Sequence, residues 1–241
     1  MQKDSGDCII KSYQTDKNSF IKLSSLFHIL EDFANNGADF LDVGKDFMDR
    51  EHKTWYATQY HIKLYKDIKY QDKLKIFTWS SGFKFLTATR EFQLFNEKQE
   101  LVADINSNWA LLDLNTLKPL KMDNFLSEKT TTNEKYLTES ILKIRQLEKV
   151  DFSKEFQVRY DDIDINNHVN NSVYPTWVIE TFPIDFLEKH KPTEIEISFK
   201  KSAFFGDEIL VETELKDNIS YSIISSKDKS KIFAYVVIVW R

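Results

Sequence analysis

A chain of 241 residues with 41% hydrophobic content and 19 Phe carries enough apolar surface for one large core or two smaller ones, which excludes a disordered polypeptide. The formal net charge of −5 is spread over basic and acidic residues mixed along the whole chain, which excludes the concentrated positive field that nucleic acid requires. A lone cysteine, Cys8, permits no internal disulfide and fits a reducing compartment; with no apolar signal run in "MQKDSGD", the cytoplasm is the expected address.

In chain order, "CIIKSY" is a short strand candidate. It is followed by a helix over "IKLSSLFHILEDFANNGADFLDVG", where Leu23, Leu26, Phe27, Leu30, Phe33 and Ala34 recur at helical spacing and Gly37 or Gly44 punctuates the end. Core packing is the default role of that apolar face. Four extended segments come next: Trp55 to Lys66, Lys73 to Phe83, Phe85 to Phe95 and Leu101 to Leu112. Alternation in "KLKIFTW" and "REFQLFN" predicts antiparallel strands with one wet face.

The second half repeats the order. "KEFQVRY" is a strand, "VNNSVYPTWVIETFPIDFLEKH" a helical stretch broken by Pro175 and Pro183, and "TEIEISFK", "DEILVETEL", "ISYSIISS" and "KIFAYVVIVW" are four strands. The last of these is about half the length of a bilayer helix and rich in β-branched residues, so no membrane span is expected. "YQDKLKIFTW" and "FGDEILVETE" each place a turn and an Asp before an alternating strand, and the halves close on strands carrying Trp109 and Trp240. The pattern predicts an α+β protein made by internal duplication: residues 1–114, a polar connector over 115–151 with a short helix from Glu139, and residues 152–241.

One polar cluster stands out in "RYDDIDINNHVNN". Asp164, Asn166 and His168 fall at i, i+2 and i+4, so in an extended segment they share one side. His168, with a reference pKa of roughly 6.5, is suited to proton transfer near neutrality. Asn166 can donate an amide N–H or orient water, and Asp164 can hold an imidazole tautomer. A helix opening at Val169 to Asn171 would add N–H groups for an oxyanion. The combination suits attack of water on an activated carbonyl. The same residues also suit a turn and a helix cap with no chemistry, and spacing by itself leans to that plainer account. Arg159 can brace Asp161 or Asp162, Asn170 and Asn171 can cap the helix, and Glu180 is either an interior partner or exposed. The other histidines, His28, His52, His61 and His190, show no metal-ligand spacing, and no GxSxG is present, so neither a metal nor a serine nucleophile is expected.

The longer register of Arg159, Asp162, Asp164, Asn166, His168, Asn170, Asn171, Tyr174, Trp177 and Glu180 resembles the signature of acyl-acyl carrier protein thioesterases of the plant and bacterial fatty-acid type. The resemblance implies a tandem hotdog, each domain a long helix wrapped by an antiparallel sheet, with the acyl tunnel mainly in the first. It implies hydrolysis of an acyl thioester on the phosphopantetheine arm of acyl carrier protein, without a cofactor. It assigns catalysis to Asp164, Asn166 and His168; Arg159, Asn171, Glu180 and Ser202 are candidate supporting residues on their chemistry and position in this sequence. The acidic carrier would meet lysines such as Lys191, Lys200 and Lys201. A homodimer and the chain-length preference are left open.

The sequence departs from that family in "FKKSAFFGDEIL". Where the family places a Glu before the "GD" turn, this chain has Ser202 and Ala203, so water activation would depend on His168 and Asp164, or on an acid such as Glu180. Three rival readings follow: a hotdog thioesterase for coenzyme A esters, a non-catalytic acyl-binding protein, and a hotdog dehydratase.

Overall fold

The alternating segments "KLKIFTW" and "REFQLFN" are neighbouring antiparallel strands in the computed structural model, which describes residues 3–122, 126, 128–129, 132, 134–142 and 145–241. The chain divides into two compact units, Met1–Thr138 and Glu139–Arg241.

The first unit contains β1 (Asp4–Ile9), α1 (Leu23–Phe40), α2 (Lys45–Glu51), β2 (Lys53–Leu64), β3 (Lys73–Lys84), β4 (Thr87–Asn96) and β5 (Leu101–Asp113). Its strands lie in the order β1-β3-β4-β5-β2. The second contains β6 (Phe152–Gln157), α3 (Val173–Ile179), α4 (Ile184–Lys189), β7 (Pro192–Phe199), β8 (Glu208–Lys216), β9 (Ile219–Ser226) and β10 (Ile232–Trp240). Its order, β6-β8-β9-β10-β7, is the same topology again. Antiparallel pairing throughout, with helices on one face, makes the α+β architecture expected of a tandem hotdog.

The stripe of α1 lies against its sheet, with Leu26, Phe27 and Leu30 wholly buried and Phe33 half-buried. Each fully buried side chain contributes about 1.5–3 kcal/mol. Neither glycine ends this helix where the sequence suggested. Gly37 lies inside α1, and Gly44 opens α2, because the Asp39 carboxylate accepts the Lys45 N–H at 3.0 Å and leaves no room for a Cβ at position 44. In the second unit α3 starts at Val173, four residues later than Val169. Pro175 sits in its first turn, where a missing N–H costs nothing, and Pro183 separates it from α4.

The helix expected from Glu139 is absent among the described residues of that segment. Two buried carboxylates take its backbone donors instead. Glu196 on β7 accepts the N–H groups of Ile141 (2.6 Å) and Leu142 (2.8 Å) and the Ser140 hydroxyl (2.7 Å). Glu214 on β8 accepts the Glu148 N–H at 2.9 Å and pairs with Arg145 at 3.0 Å. Ile195, Ile197 and Phe199 alternate with Glu196 on β7, and Phe199 meets Tyr174 of α3, so the segment straps the sheet face opposite the helix.

Candidate active site

The route from β6 to α3 is a compact loop held by one buried carboxylate. Asp162, 1% exposed, accepts the Arg159 N–H at 2.9 Å and its guanidinium at 2.7 Å, while its own carbonyl accepts the Asn170 N–H at 2.8 Å. Arg159 is therefore a brace for the turn, as one of its two sequence readings held.

Inside that brace, Ile163 and Val169 form a β-bridge around a five-residue turn. Asp164 donates its N–H to the His168 carbonyl at 2.8 Å and accepts the Asn167 N–H on its own carbonyl at 3.1 Å. Asn167 takes a positive φ of 60°, a conformation Asn tolerates. The Asp164 carboxylate accepts the N–H groups of Asn166 (2.8 Å) and His168 (3.4 Å) on Oδ1 and the Asn166 side-chain amide on Oδ2 at 3.4 Å.

The three predicted residues thus share one turn, but not as an extended segment with a common side. Asp164 touches Asn166 and the His168 backbone, not the imidazole. The His168 ring, half-buried, stands edge-on to Phe204 with centroids 5.1 Å apart and makes no hydrogen bond among the described residues. The expected tautomer-holding role of Asp164 is not what its oxygens do here, because backbone N–H groups take Oδ1 and the Asn166 amide meets Oδ2.

The other expectations separate. The N–H groups of Val169, Asn170, Ser172 and Val173 are bonded to Ala203 O, Asp162 O, Asn170 Oδ1 and Asn170 O, so they are not free for an oxyanion. Asn171 is half-buried in the turn before α3. Glu180 lies at the far end of α3, about 10 Å of helix away, exposed and paired with Lys154 at 3.0 Å. It is not beside His168. Ser202 is half-buried and immediately precedes the segment that packs on the turn: Ala203, wholly buried, donates its N–H to the Tyr174 hydroxyl at 3.1 Å and accepts the Val169 N–H at 2.9 Å. Sequence reasoning missed Phe204, and it named Tyr174 only within the family register, without a role. The doublet Phe204–Phe205 ahead of Gly206 was the available signal, an apolar pair beside a turn that the structure leaves largely exposed, with one ring against His168.

The first unit contains the same turn. Asp16 Oδ1 accepts the N–H groups of Asn18 (2.8 Å) and Phe20 (2.9 Å), and the Asp16 N–H donates to the Phe20 carbonyl at 2.7 Å. Thr15 and Ile21 form the bridge, and Ser19 takes the positive φ, 67°. Lys11 and Gln14 occupy the places of Arg159 and Asp162. Even the neighbour matches: Lys69 lies over the Phe20 ring at 5.0 Å, where Phe204 meets His168. Asp and Asn recur in both copies, and the position of His168 holds Phe20 in the first.

Between α1 and its sheet the first unit has an apolar-walled cleft with an empty volume of about 460 Å³, open solvent included, bordered by Ala34, Ala38, Trp55 and Trp109. Among the described residues no cluster of three or more His, Cys, Asp or Glu could hold a metal, and no helix is long and apolar enough to cross a membrane.

Comparison with known proteins covers both units. Residues 5–128 match the family model for the acyl-ACP thioesterase N-terminal domain, and residues 145–240 that for the C-terminal domain. The chloroplastic oleoyl-acyl carrier protein thioesterase 1 of Arabidopsis thaliana is 21% identical over 211 residues, 80% of this chain and 58% of its own length. The chloroplastic palmitoyl-acyl carrier protein thioesterase of Gossypium hirsutum is 21% identical over 206 residues, 80% of this chain and 50% of its own length. The chain spans about half the length of these curated relatives. An acyl-ACP thioesterase from Bacteroides thetaiotaomicron superposes with a TM-score of 0.90 at 20% identity, covering 99% of this chain and 98% of that one. The 12:0-ACP thioesterase from Umbellularia californica gives 0.87 at 15% identity, covering 99% and 97%. These likenesses establish the tandem hotdog fold.

Proposed function

The chain belongs to the acyl-ACP thioesterase family, and from that premise we propose that it hydrolyses the thioester joining a fatty acyl chain to the phosphopantetheine arm of an acyl carrier protein. The observation that carries this reading is His168 standing where the first unit, with the same Asp-centred hydrogen bonds and bridge, has Phe20. The duplicated scaffold uses the Asp for its backbone in both copies; an imidazole in place of a phenyl ring adds a proton acceptor where the scaffold requires none.

In the proposed course, water attacks the thioester carbon while His168 takes its proton. The Asn166 amide, exposed and steadied by Asp164, donates to the developing oxyanion. Asp164 holds the turn and places a negative charge near the imidazolium. Collapse of the tetrahedral intermediate breaks the C–S bond, and the thiolate takes the proton back from His168. Free fatty acid and the carrier's thiol are the products. With Ser202 and Ala203 where the family has Glu, water activation falls to His168. Replacing His168 by Ala should lower kcat by about 10²–10⁴-fold; unchanged hydrolysis by the folded variant would remove the role.

The surface beside the turn supports a docked partner. Tyr160 (82% exposed), Ile165 (94%) and Phe205 (68%) present large apolar groups, flanked by the exposed Lys200 and Lys201. Lys191 lies at the other end of β7, about 26 Å away along the strand, and does not belong to this surface. The partner sets the address, the compartment holding the carrier protein, which we take to be the cytoplasm.

The closed environment of Ala203 favours a second reading, because no carboxylate can occupy that wholly buried position without displacing its neighbours. The chain would then bind acyl groups and turn them over slowly or not at all. Acyl binding without release of free thiol would select it. Equal or faster rates on coenzyme A esters of the same chain would shift the leaving group instead.

A further inference from the structure

Four side chains standing opposite one another form a polar row across the first unit's sheet: Tyr60 on β2 faces Ser107 on β5, Ser107 faces Arg90 on β4, and Arg90 faces Ser80 on β3. Tyr60 meets Phe27 of α1 with ring centroids 5.1 Å apart, so the row lies on the helix-covered side. All four are buried, Arg90 included at 8% exposure. Ser107 is satisfied, receiving the Trp109 indole N–H at 2.8 Å and donating to the Arg90 carbonyl at 3.3 Å.

The other three are not. Among the described residues the Tyr60 hydroxyl and the Ser80 hydroxyl have no partner. Among the described residues the Arg90 guanidinium makes one hydrogen bond, from Nη1 to Thr78 Oγ1 at 3.2 Å, and forms no ion pair. Asp4 on β1 and Tyr60 are the groups whose fields favour its charge, yet burial dominates and holds its pKa down to about 10, so it is still a cation at neutrality. Gly37 of α1 makes room for it, since a Cβ there would collide with Nη1 and lie 3.0 Å from Cζ.

Ser80 and Arg90 line the cleft described above, whose remaining walls include Ala38, Leu41, Val43 and Trp55. Those walls suit an aliphatic chain. A buried cation with unused donors beside a partnerless hydroxyl suits an acceptor with negative charge, and a methyl-ended chain would leave both unsatisfied. We propose that this cleft binds an aliphatic chain bearing a carboxylate, with Arg90 and Ser80 as its donors and Gly37 as the gap that admits the guanidinium. A carboxylate on the chain deepens the thioesterase reading, which expects the acyl chain in this unit; the ligand's source rests on that reading. The carboxylate is either the far end of a carboxyl-bearing acyl thioester or the head of a free fatty acid.

The test is tryptophan fluorescence of the full chain, which has Trp55 and Trp109 in the cleft wall, titrated with dodecanoic acid and with dodecan-1-ol at pH 8. The acid should bind about 10–100-fold tighter than the alcohol, the weight of hydrogen bonds to a charged group. R90M should erase that difference, and G37A should weaken it. Equal affinities in the wild type overturn the proposal without recourse to any variant. H168A should keep the discrimination, so failure of the hydrolysis reading and failure of this one are read separately. A preference for an ω-carboxyacyl over a plain acyl carrier thioester that R90M abolishes assigns the carboxylate to the substrate's far end. Inhibition by free dodecanoate that R90M relieves assigns it to the product.

Discussion

The Asp16 and Asp164 turns are built by the same hydrogen bonds, and what differs between them separates scaffold from chemistry. In both, an aspartate caps two N–H groups on the way from the first strand to the first helix. In one the ring that follows is Phe20 under Lys69; in the other it is His168 against Phe204. The helices beyond diverge as well: α1 runs 18 residues unbroken, while the second unit spends its counterpart on two short pieces around Pro183. Duplication kept the frame and changed its contents, a cleft in one unit and a half-buried imidazole in the other.

The comparison breaks first at the ring position. Converting His168 to Phe copies the first unit's turn and should cost about 10²–10⁴-fold in kcat on an acyl carrier thioester, with an unchanged circular dichroism spectrum. Phe20→His should give no compensating activity, because its surroundings are those of a packed ring; activity appearing in an F20H/H168F double variant would contradict this. Next come the aspartates. D16A and D164A should each lower stability by about 1 kcal/mol, the usual worth of a lost cap, measured by urea unfolding. Only D164A should also depress kcat. Equal kinetic losses in both would mean the carboxylates act through stability alone.

A smaller contrast lies on the outer faces of the two sheets. Glu91 on β4 is raised above its ordinary value of 4.5 chiefly by burial, despite hydrogen bonds from Ser81 and Asn106. Glu214 is held below 4.5 by the Arg145 hydrogen bond. The signs are opposite. The native state binds the Glu91 proton more tightly, so its contribution is fully present below 4.5 and declines as pH rises through the folded pKa. The contribution of Glu214 is present above 4.5 and lost as pH falls through its depressed pKa. E91Q should therefore raise Tm at pH 7 more than at pH 4, and R145M should lower it at pH 7 while the difference shrinks in acid. Parallel pH profiles for the two variants would contradict the assignment.

Nine of the ten strands and α1 were legible from the chain because alternation and helical spacing are local properties. By contrast, β1 (Asp4–Ile9) precedes most of the "CIIKSY" run read as its strand, being a polar edge strand whose pairing with β3 decides it. The "YQDK" and "FGDE" turns marked the repeat correctly: Asp72 and Asp207 accept the N–H groups of Lys69 and Phe204 in the same way, at 2.7 and 3.0 Å. The polar register from Arg159 to His168 was legible as a site but not as an arrangement. Which donors reach the Asp164 carboxylate depends on a turn closed by Ile163 and Val169, and spacing alone cannot tell that turn from an extended segment. The connector's missing helix had no local cause, since the acceptors that unwind it lie 54 to 69 residues farther along the chain.

Period and composition by themselves determined which segments are strands, which stretch is the long helix, and that the plan occurs twice, since each follows from neighbours in the chain sorting polar from apolar sides. Folding in three dimensions decided that Asp164 serves the backbone rather than the imidazole, that Phe204 faces His168, and that Arg90 lies under Gly37 with no ion pair among the described residues. Those outcomes depend on register across several strands and on contacts between distant segments, which bring together groups whose spacing along the polypeptide carries no sign that they will meet.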